Sequence, residues 1–277
     1  MFKNITHFHR PRTLDEALIL LKKGKVRCHA GGTGLIPSGS DALEGLVDLG
    51  GLDLRKLRRD DEGFHIEACV TLADLASWPR LDGPACILAQ AALCAASTSL
   101  RNRITVGGSV AQPRPWSDLP PALLALDASI EVVGGAAGLY EARDFFARNP
   151  LDGASIVTTI HLPALPGGAA FHKVSRTRFD YSLLDVAVYL EVQDGRIATA
   201  RIAAGCALPR AKRLTEAEEA LVGRDPTPEL LRRVAEEAPF DPLNDMRASA
   251  PYRKRLLVVY LQRCLTEALE AAKGGTN

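Results

Sequence analysis

Aromatic residues are scarce. Eight Phe, five Tyr and two Trp make up 5% of the 277 residues, so a core has to be built mainly from Leu, Val, Ile and Ala. Cysteines are few and scattered. Cys28, Cys69, Cys86, Cys94, Cys206 and Cys264 contain no C-x-x-C pair, a spacing that supplies neither a disulfide framework nor a metal cage and suits a reducing cytosol. Charge of one sign is missing too: 34 Lys and Arg stand against 33 Asp and Glu, a net +1, which withholds the basic footprint of a nucleic-acid binder. Long apolar runs are absent. Charged or polar residues interrupt Met1 to Lys25, so no signal peptide is expected. The longest uncharged stretch, Gly83 to Leu100, is rich in Ala, Ser and Thr and carries Gln90; it is too weakly hydrophobic for a bilayer span and reads as a buried helix. What is present, 47% hydrophobic and 24% charged residues, is globular composition at a length of about two domains.

Helix and turn signals are sharp in places. Thr13-Leu-Asp-Glu16 and Thr71-Leu-Ala-Asp74 are capping boxes, each opening a helix. Gly24 ends the first and Pro79 the second. Strands are expected at Val26–Ala30, Phe64–Ala68, Ser129–Val133 and Ser155–Leu162, and His7 and His9 share one strand face. Asp185–Gln193 and Arg196–Ala203 flank Asp194-Gly195, a type I′ hairpin pair. Helices follow from Thr215, with Glu218 completing a capping box, from Thr227 with Pro228 in its first turn, and over Ser249–Ala272 up to Gly274-Gly275. The Pro163–Gly168 cluster is the best division, leaving a C-terminal α+β unit.

Two glycine turns carry the candidate chemistry. In Ala30-Gly-Gly-Thr-Gly34 consecutive glycines let backbone N–H groups approach a diphosphate. Arg27 and Arg55 are the nearest cations in sequence, so phosphate binding would rest mostly on the backbone. No Gly-Lys-Ser/Thr follows, the G-x-G-x-x-G spacing is absent and Pro37 interrupts any long helix, so neither a Walker A loop nor a Rossmann fingerprint is present. An ordinary turn is the alternative. The second, Arg101-Asn-Arg-Ile-Thr-Val-Gly-Gly-Ser-Val-Ala111, leads to Pro113, Pro115, Ser117 and Asp118. A nucleophile elbow needs a helix after its serine, which Gln112-Pro-Arg-Pro115 cuts short. The turn suits a polyhydroxy ligand instead, with Asp118 accepting from hydroxyls or, alternatively, capping a helix at Pro120-Pro121. Histidines 29, 65, 161 and 172 are isolated in sequence, and no metal-binding set is expected.

Taken in order, these segments resemble the FAD-binding medium subunits of molybdenum hydroxylases, the family of xanthine, aldehyde and carbon monoxide dehydrogenases. Pro11–Ala17 resembles the opening helix, Ala30–Thr33 the first FAD loop, Arg101–Gly108 through Pro115–Asp118 the second with Ser117–Asp127 continuing it, and Asp245–Arg253 the segment opening the last helix. The match runs nearly end to end. It implies an α+β chain with a two-subdomain FAD-binding domain of the PCMH type at residues 1–165 and a small three-stranded sheet with helices at 166–277.

By resemblance, Ala30, Gly31, Gly32, Thr33 and Gly34 surround the FAD pyrophosphate. Thr105, Gly107, Gly108 and Ser109 line the second loop, Asp118 binds the ribityl chain, and Lys173 and Leu162 lie near the flavin ring. Gly34 stands where the family commonly has a polar residue, Ser109 where Asn is usual, and Trp116 is large for its place. The implied role is electron transfer in the cytoplasm, from iron–sulfur clusters in a small partner subunit, fed by a large molybdopterin subunit, through FAD to an external acceptor. A dimer of that three-chain unit is compatible with it. The missing cysteines between Cys94 and Cys206 argue against the relatives acting on aryl-CoA thioesters. No catalytic acid, base or nucleophile is expected of this chain, since the flavin carries the chemistry. A standalone FAD-dependent reductase or oxidase and a flavin-free scaffold are the alternatives.

Overall fold

A computed structural model describes residues 4–274. Its first layer is a small parallel sheet. β1 (His7–His9), β2 (Val26–His29) and β3 (Gly45–Asp48) lie in the order β1-β3-β2, with α1 (Leu14–Lys22) and the short α2 (Leu35–Ser38) between them. The Thr13 hydroxyl accepts from the Glu16 N–H at 3.2 Å, but the Glu16 carboxylate takes the N–H of Arg12 at 2.8 Å, so only half of that expected capping box forms. Ala17 and Leu21 are the buried positions of α1, four apart on one helical face.

An antiparallel sheet follows. β4 (Leu57–Asp60), β5 (Gly63–Glu67), β6 (Ser129–Gly134), β7 (Gly138–Glu141) and β8 (Ser155–Pro163) pair in the order β4-β5-β8-β6-β7. Its crossover between β5 and β6 holds α3 (Leu72–Ser77), α4 (Cys86–Cys94), α5 (Thr98–Arg101), α6 (Val106–Ala111) and α7 (Leu119–Ala125), and α8 (Ala142–Arg148) precedes β8. The Thr71–Asp74 capping box is complete. The single helix expected over Gly83–Leu100 is two helices. The chain breaks at Ala95–Ser97, where Ala96 adopts φ +45° and the buried Arg101 guanidinium donates to the Ala95 and Ala96 carbonyls at 3.2 and 2.9 Å. Ser97 then caps α5.

The last layer is β9 (Gly168–Val174), β10 (Leu184–Gln193), β11 (Arg196–Gly205) and the two-residue β12 (Lys212–Arg213), antiparallel in the order β12-β11-β10-β9. Three long strands thus form the expected small sheet, with β12 added at its edge. Asp194 and Gly195 both take positive φ, +51° and +74°, as a type I′ turn demands. α9 (Thr215–Glu219), α10 (Pro228–Glu237) and α11 (Ala250–Gly274) complete the fold, α11 lying across β9 and β10. Thr215 does not cap α9: the N-cap position is Leu214, and Glu218 instead accepts from the Ile202 N–H and Arg213 Nη2, both at 2.8 Å. Gly275 lies outside the described residues. The central core joins helices α3, α4 and α6–α8 to β5, β6 and β8 and takes in Phe171, Ala187 and Ala203 from the last sheet.

Candidate functional site

A cavity of about 750 Å³ opens where the three layers meet, lined by the β2–α2 loop, α6, the start of α7, β9 and residues 179–181. That volume suits a ligand of dinucleotide size. Of the sequence-predicted residues, Ala30, Gly31, Gly32, Thr33, Gly34, Thr105, Gly107, Gly108, Ser109, Asp118 and Lys173 all lie on its wall. Leu162 does not; it is 2% exposed and packs in the central core on β8.

The two glycine loops touch. A Cβ on Gly31 would sit 1.6 Å from the Arg103 carbonyl oxygen, and one on Gly107 would sit 2.4 Å from the Ala68 Cβ, so both glycines are required by packing of the chain on itself. Thr71 bridges Thr105, and the Leu72 and Val106 N–H groups donate to the carbonyls of Ile104 and Val70 at 2.9 Å each, locking the second loop to the foot of α3. Three carbonyls of the first loop are engaged: Arg103 donates to Gly31 O and Arg114 to Gly34 O, each at 3.3 Å, and the Ile36 N–H to Gly32 O at 2.9 Å. Among the described residues, the N–H groups of Gly31, Gly32, Thr33 and Gly34 have no protein acceptor. A row of unspent backbone donors on a cavity wall is an anion cradle. Arg27, on the same wall, has no ion-pair or hydrogen-bond partner among the described residues and adds the positive charge.

Polar chemistry gathers at the buried end. Asp118 is 7% exposed, and Lys173 Nζ lies 3.2 Å from its Oδ1 and donates to its Oδ2 at 3.3 Å and to the Cys94 carbonyl at 3.1 Å. Asp118 stands at the N-cap of α7 but its side chain makes no cap bond, and Oδ1 has no hydrogen-bond partner. Burial pushes the Asp118 carboxyl upward against the pull of the Lys173 ammonium. Next to it, Asp185 and Cys206 bring their polar atoms within 4.8 Å of it and of one another. Burial and the Asp118 charge push Asp185 well above the carboxylate range.

At the exposed end, Trp116 and Tyr181 set their ring centroids 5.0 Å apart and Phe179 stands beside them on the wall. This apolar rim offers planar surfaces for stacking. Sequence reasoning missed the rim, Asp185 and Cys206, because residues 116 and 181, or 118 and 206, meet only once the last sheet packs under α7. Trp116 alone gave a signal, as an oversized residue beside a site. His65 and His161, isolated in sequence, face each other across β5 and β8 with Nδ1 atoms 2.8 Å apart, away from the cavity wall.

The FAD binding domain of molybdopterin dehydrogenase matches residues 2–165, and the CO dehydrogenase flavoprotein C-terminal domain matches residues 169–268. The chain belongs to the FAD-binding subunit family of molybdopterin dehydrogenases. This flavoprotein is 30% identical over 270 residues to the nicotine 6-hydroxylase medium subunit of Paenarthrobacter nicotinovorans, covering 93% of this chain and 95% of that one. It is 31% identical over 280 residues to the carbon monoxide dehydrogenase medium chain of Afipia carboxidovorans, covering 96% and 97%. Its fold matches a chain of quinoline 2-oxidoreductase from Pseudomonas putida 86 with TM-score 0.89, 26% identity and coverage of 98% and 99%. A chain of the Hydrogenophaga pseudoflava carbon monoxide dehydrogenase matches with TM-score 0.89, 28% identity and the same coverage. The flavoprotein is therefore an FAD-binding oxidoreductase subunit with an electron-transfer role, homologous to medium subunits of multi-chain complexes. No helix among the described residues is long and apolar enough to cross a membrane. The unspent N–H row and the buried Asp118 carboxylate, ion-paired to Lys173 but with Oδ1 free of any hydrogen bond, fit the cofactor that the family implies: a diphosphate at one wall and hydroxyl groups at the other.

Proposed function

We propose that residues 1–165 carry FAD in the interlayer cavity and that residues 166–277 form a second unit closing its buried end. Electrons would arrive from iron–sulfur clusters in a small partner subunit, fed by a large molybdopterin subunit, and leave to an external acceptor. The observation that carries this reading is the pairing of two complementary donor and acceptor sets on one cavity. Ala30–Gly34, with Arg27, takes the pyrophosphate through backbone N–H groups. Thr105, Gly107, Gly108 and Ser109 shape the adjoining wall. Asp118, held against Lys173, accepts from the ribityl hydroxyls, while Lys173 supplies positive charge near the ring system. FAD supplies the redox chemistry; this chain binds it, orients it and sets the charge around it. The six unbridged cysteines support a reducing compartment, the cytoplasm.

The deciding experiment is an absorbance spectrum of the purified native complex, with released cofactor and subunits identified by mass spectrometry. Flavin bands, released FAD and two co-purifying partners, one binding molybdopterin and one iron–sulfur clusters, are expected. A single active chain holding FAD would make it a standalone reductase or oxidase. No flavin in any preparation would leave a scaffold. The molar mass of the complex reads whether the three-chain unit dimerises.

A further inference from the structure

Beneath Asp118 lies a polar group that FAD contact does not explain. Asp185, at the start of β10, and Ser182 are both wholly buried. Asp185 Oδ1 bonds Ser182 Oγ, and Oδ2 lies 2.9 Å from Cys206 Sγ. The same sulfur approaches the Ser117 carbonyl at 3.6 Å, the residue immediately before Asp118. Cys206 is held at φ +62°, a left-handed conformation that a non-glycine residue keeps only when its surroundings fix it.

Charge counting assigns the proton. Asp118 and Asp185 are adjacent and buried, and among the described residues Lys173 is the only cation against either; it sits on Asp118. The other groups facing Asp185 are the thiols of Cys206 and Cys94, with Arg247 reaching only the Ser182 carbonyl at 3.3 Å. Two carboxylates with one ammonium would leave a bare buried charge, so one carboxyl stays neutral, and it is the one without the ammonium. Hydrogen bonding agrees. The single Ser182 hydroxyl proton has three acceptors in reach: Val174 O at 3.2 Å, Leu184 O at 3.0 Å and Asp185 Oδ1. The single Cys206 thiol proton likewise has two acceptors in reach, Asp185 Oδ2 and Ser117 O, and a proton on Oδ2 that donates to Cys206 Sγ leaves the thiol proton for the Ser117 carbonyl.

We propose that Asp185 is a positioning residue of the FAD site: it keeps its proton and, through Cys206, fixes the Ser117–Asp118 backbone that presents the Asp118 carboxylate to the ligand. It does not touch the ligand itself. The proposal rests on the FAD reading of the cavity, and its test separates the two.

The test uses the full chain freed of FAD, with FAD affinity read by quenching of flavin fluorescence and the fold by circular dichroism. Asp185→Ala is expected to stay folded and weaken FAD at least tenfold, and Asp185→Asn, which keeps a neutral polar group of the same shape, is expected to restore affinity to within threefold. Infrared difference spectra between wild type and Asp185→Asn at pH 7 should show the C=O stretch of a protonated carboxylic acid. Should Asp185→Ala fail to fold, Cys206→Ala, which cuts the link to Ser117 while leaving the carboxyl, carries the affinity test and is expected to weaken FAD likewise. The proposal is overturned if the infrared band is missing, if Asp185→Asn binds FAD no better than Asp185→Ala, or if the purified chain carries stoichiometric zinc lost in Cys206→Ser. Wild-type protein that binds no FAD would sink the cofactor reading instead, while the infrared band would still report the proton.

Discussion

Gly31 and Gly34 sit three residues apart in one loop and answer to different constraints. A methyl on Gly31 collides with the Arg103 carbonyl, whereas one on Gly34, at an ordinary helical φ of −93°, meets only Gln112 Oε1 at 3.5 Å. Gly34→Ala should therefore melt like wild type and weaken FAD about tenfold, while Gly31→Ala should lower the melting temperature by forcing the two loops apart. Thermal melts beside FAD titrations check both; equal losses of stability would mean that the Gly34 side of the loop is also packed by the chain. Gly32, at φ +74° with His29 Nε2 2.8 Å from its would-be Cβ, is a poor probe, since any side chain there strains the protein before the cofactor arrives. Asp118 and Lys173 form a second contrast. On the proposed reading Asp118→Ala removes one charge-assisted bond to FAD, about 1.5–3 kcal/mol or roughly 10- to 150-fold in affinity, and strands a buried ammonium at a stability cost of about 3–5 kcal/mol. The double variant Asp118→Ala/Lys173→Met should regain most of the stability and none of the affinity. Lys173 was placed by the family resemblance alone; the glycines and Asp118 were legible in the sequence as candidate wall residues, because glycine turns and a carboxylate after a proline-rich loop act through local backbone chemistry. Asp185 and Cys206 were not, since each gains its role only from a partner roughly 20 or more positions away. Leu162, placed near the flavin ring by the family resemblance, belongs to the core because β8 is buried along almost its whole length and reaches the cavity wall only through its first residues, Ser155–Val157.

Elements were read well where the signal is confined to a few neighbouring residues. The Asp194-Gly195 turn is such a case, and its cost can be isolated: nothing lies within 4 Å of a Cβ on Gly195, so Gly195→Ala tests backbone conformation alone and should cost about 1–2 kcal/mol in denaturant unfolding. The expected helix over Gly83–Leu100 failed for the opposite reason. Its break is made by Arg101 reaching back to the Ala95 and Ala96 carbonyls, and it places residues 95–97 on the cavity wall; hydrophobicity alone cannot announce a break imposed by a side chain for the sake of a site. Glu218 likewise left its expected capping role for Arg213 and the β11 backbone. The start of α11 is pinned by a network around Asp245. Burial raises that carboxyl, but bonds from Arg247, from backbone N–H groups and from the wholly buried Arg253 outweigh it and hold the group well below the usual carboxylate range. A carboxyl depressed in the folded state stabilises the protein above its unfolded value, about 3.9, and that contribution is lost as pH falls below it. Asp245→Asn should thus flatten the acid limb of the stability curve below about pH 4, measured by urea unfolding across pH.

Asp185 sets the opposite slope for the whole molecule. Its raised folded-state value means the native chain binds a proton that the unfolded chain releases above about pH 4, so stability declines as pH climbs toward the folded-state value. Asp185→Asn needs no proton, and its stability relative to wild type should grow from acid to neutral pH. The cavity itself ties the layers together. Its wall takes residues from the parallel sheet, from the crossover helices and from β9, and the central core already spans residues 2–165 and 169–268 through Phe171, Ala187 and Ala203. Two units sharing a core and a ligand should unfold as one. At an FAD concentration 100 times the dissociation constant, binding adds about 2.7 kcal/mol to the folded state. For a chain of this size that is a rise of about 5–10 °C in melting temperature. ADP, which on the proposed reading offers the diphosphate to Gly31–Gly34 and nothing to Asp118, should give a smaller rise of the same single transition. Calorimetry with FAD, with ADP and with neither decides this. One peak shifting intact means that the last sheet reports cofactor occupancy as faithfully as the glycine loops do. A second peak indifferent to FAD would mean that the shared core is too weak to couple them.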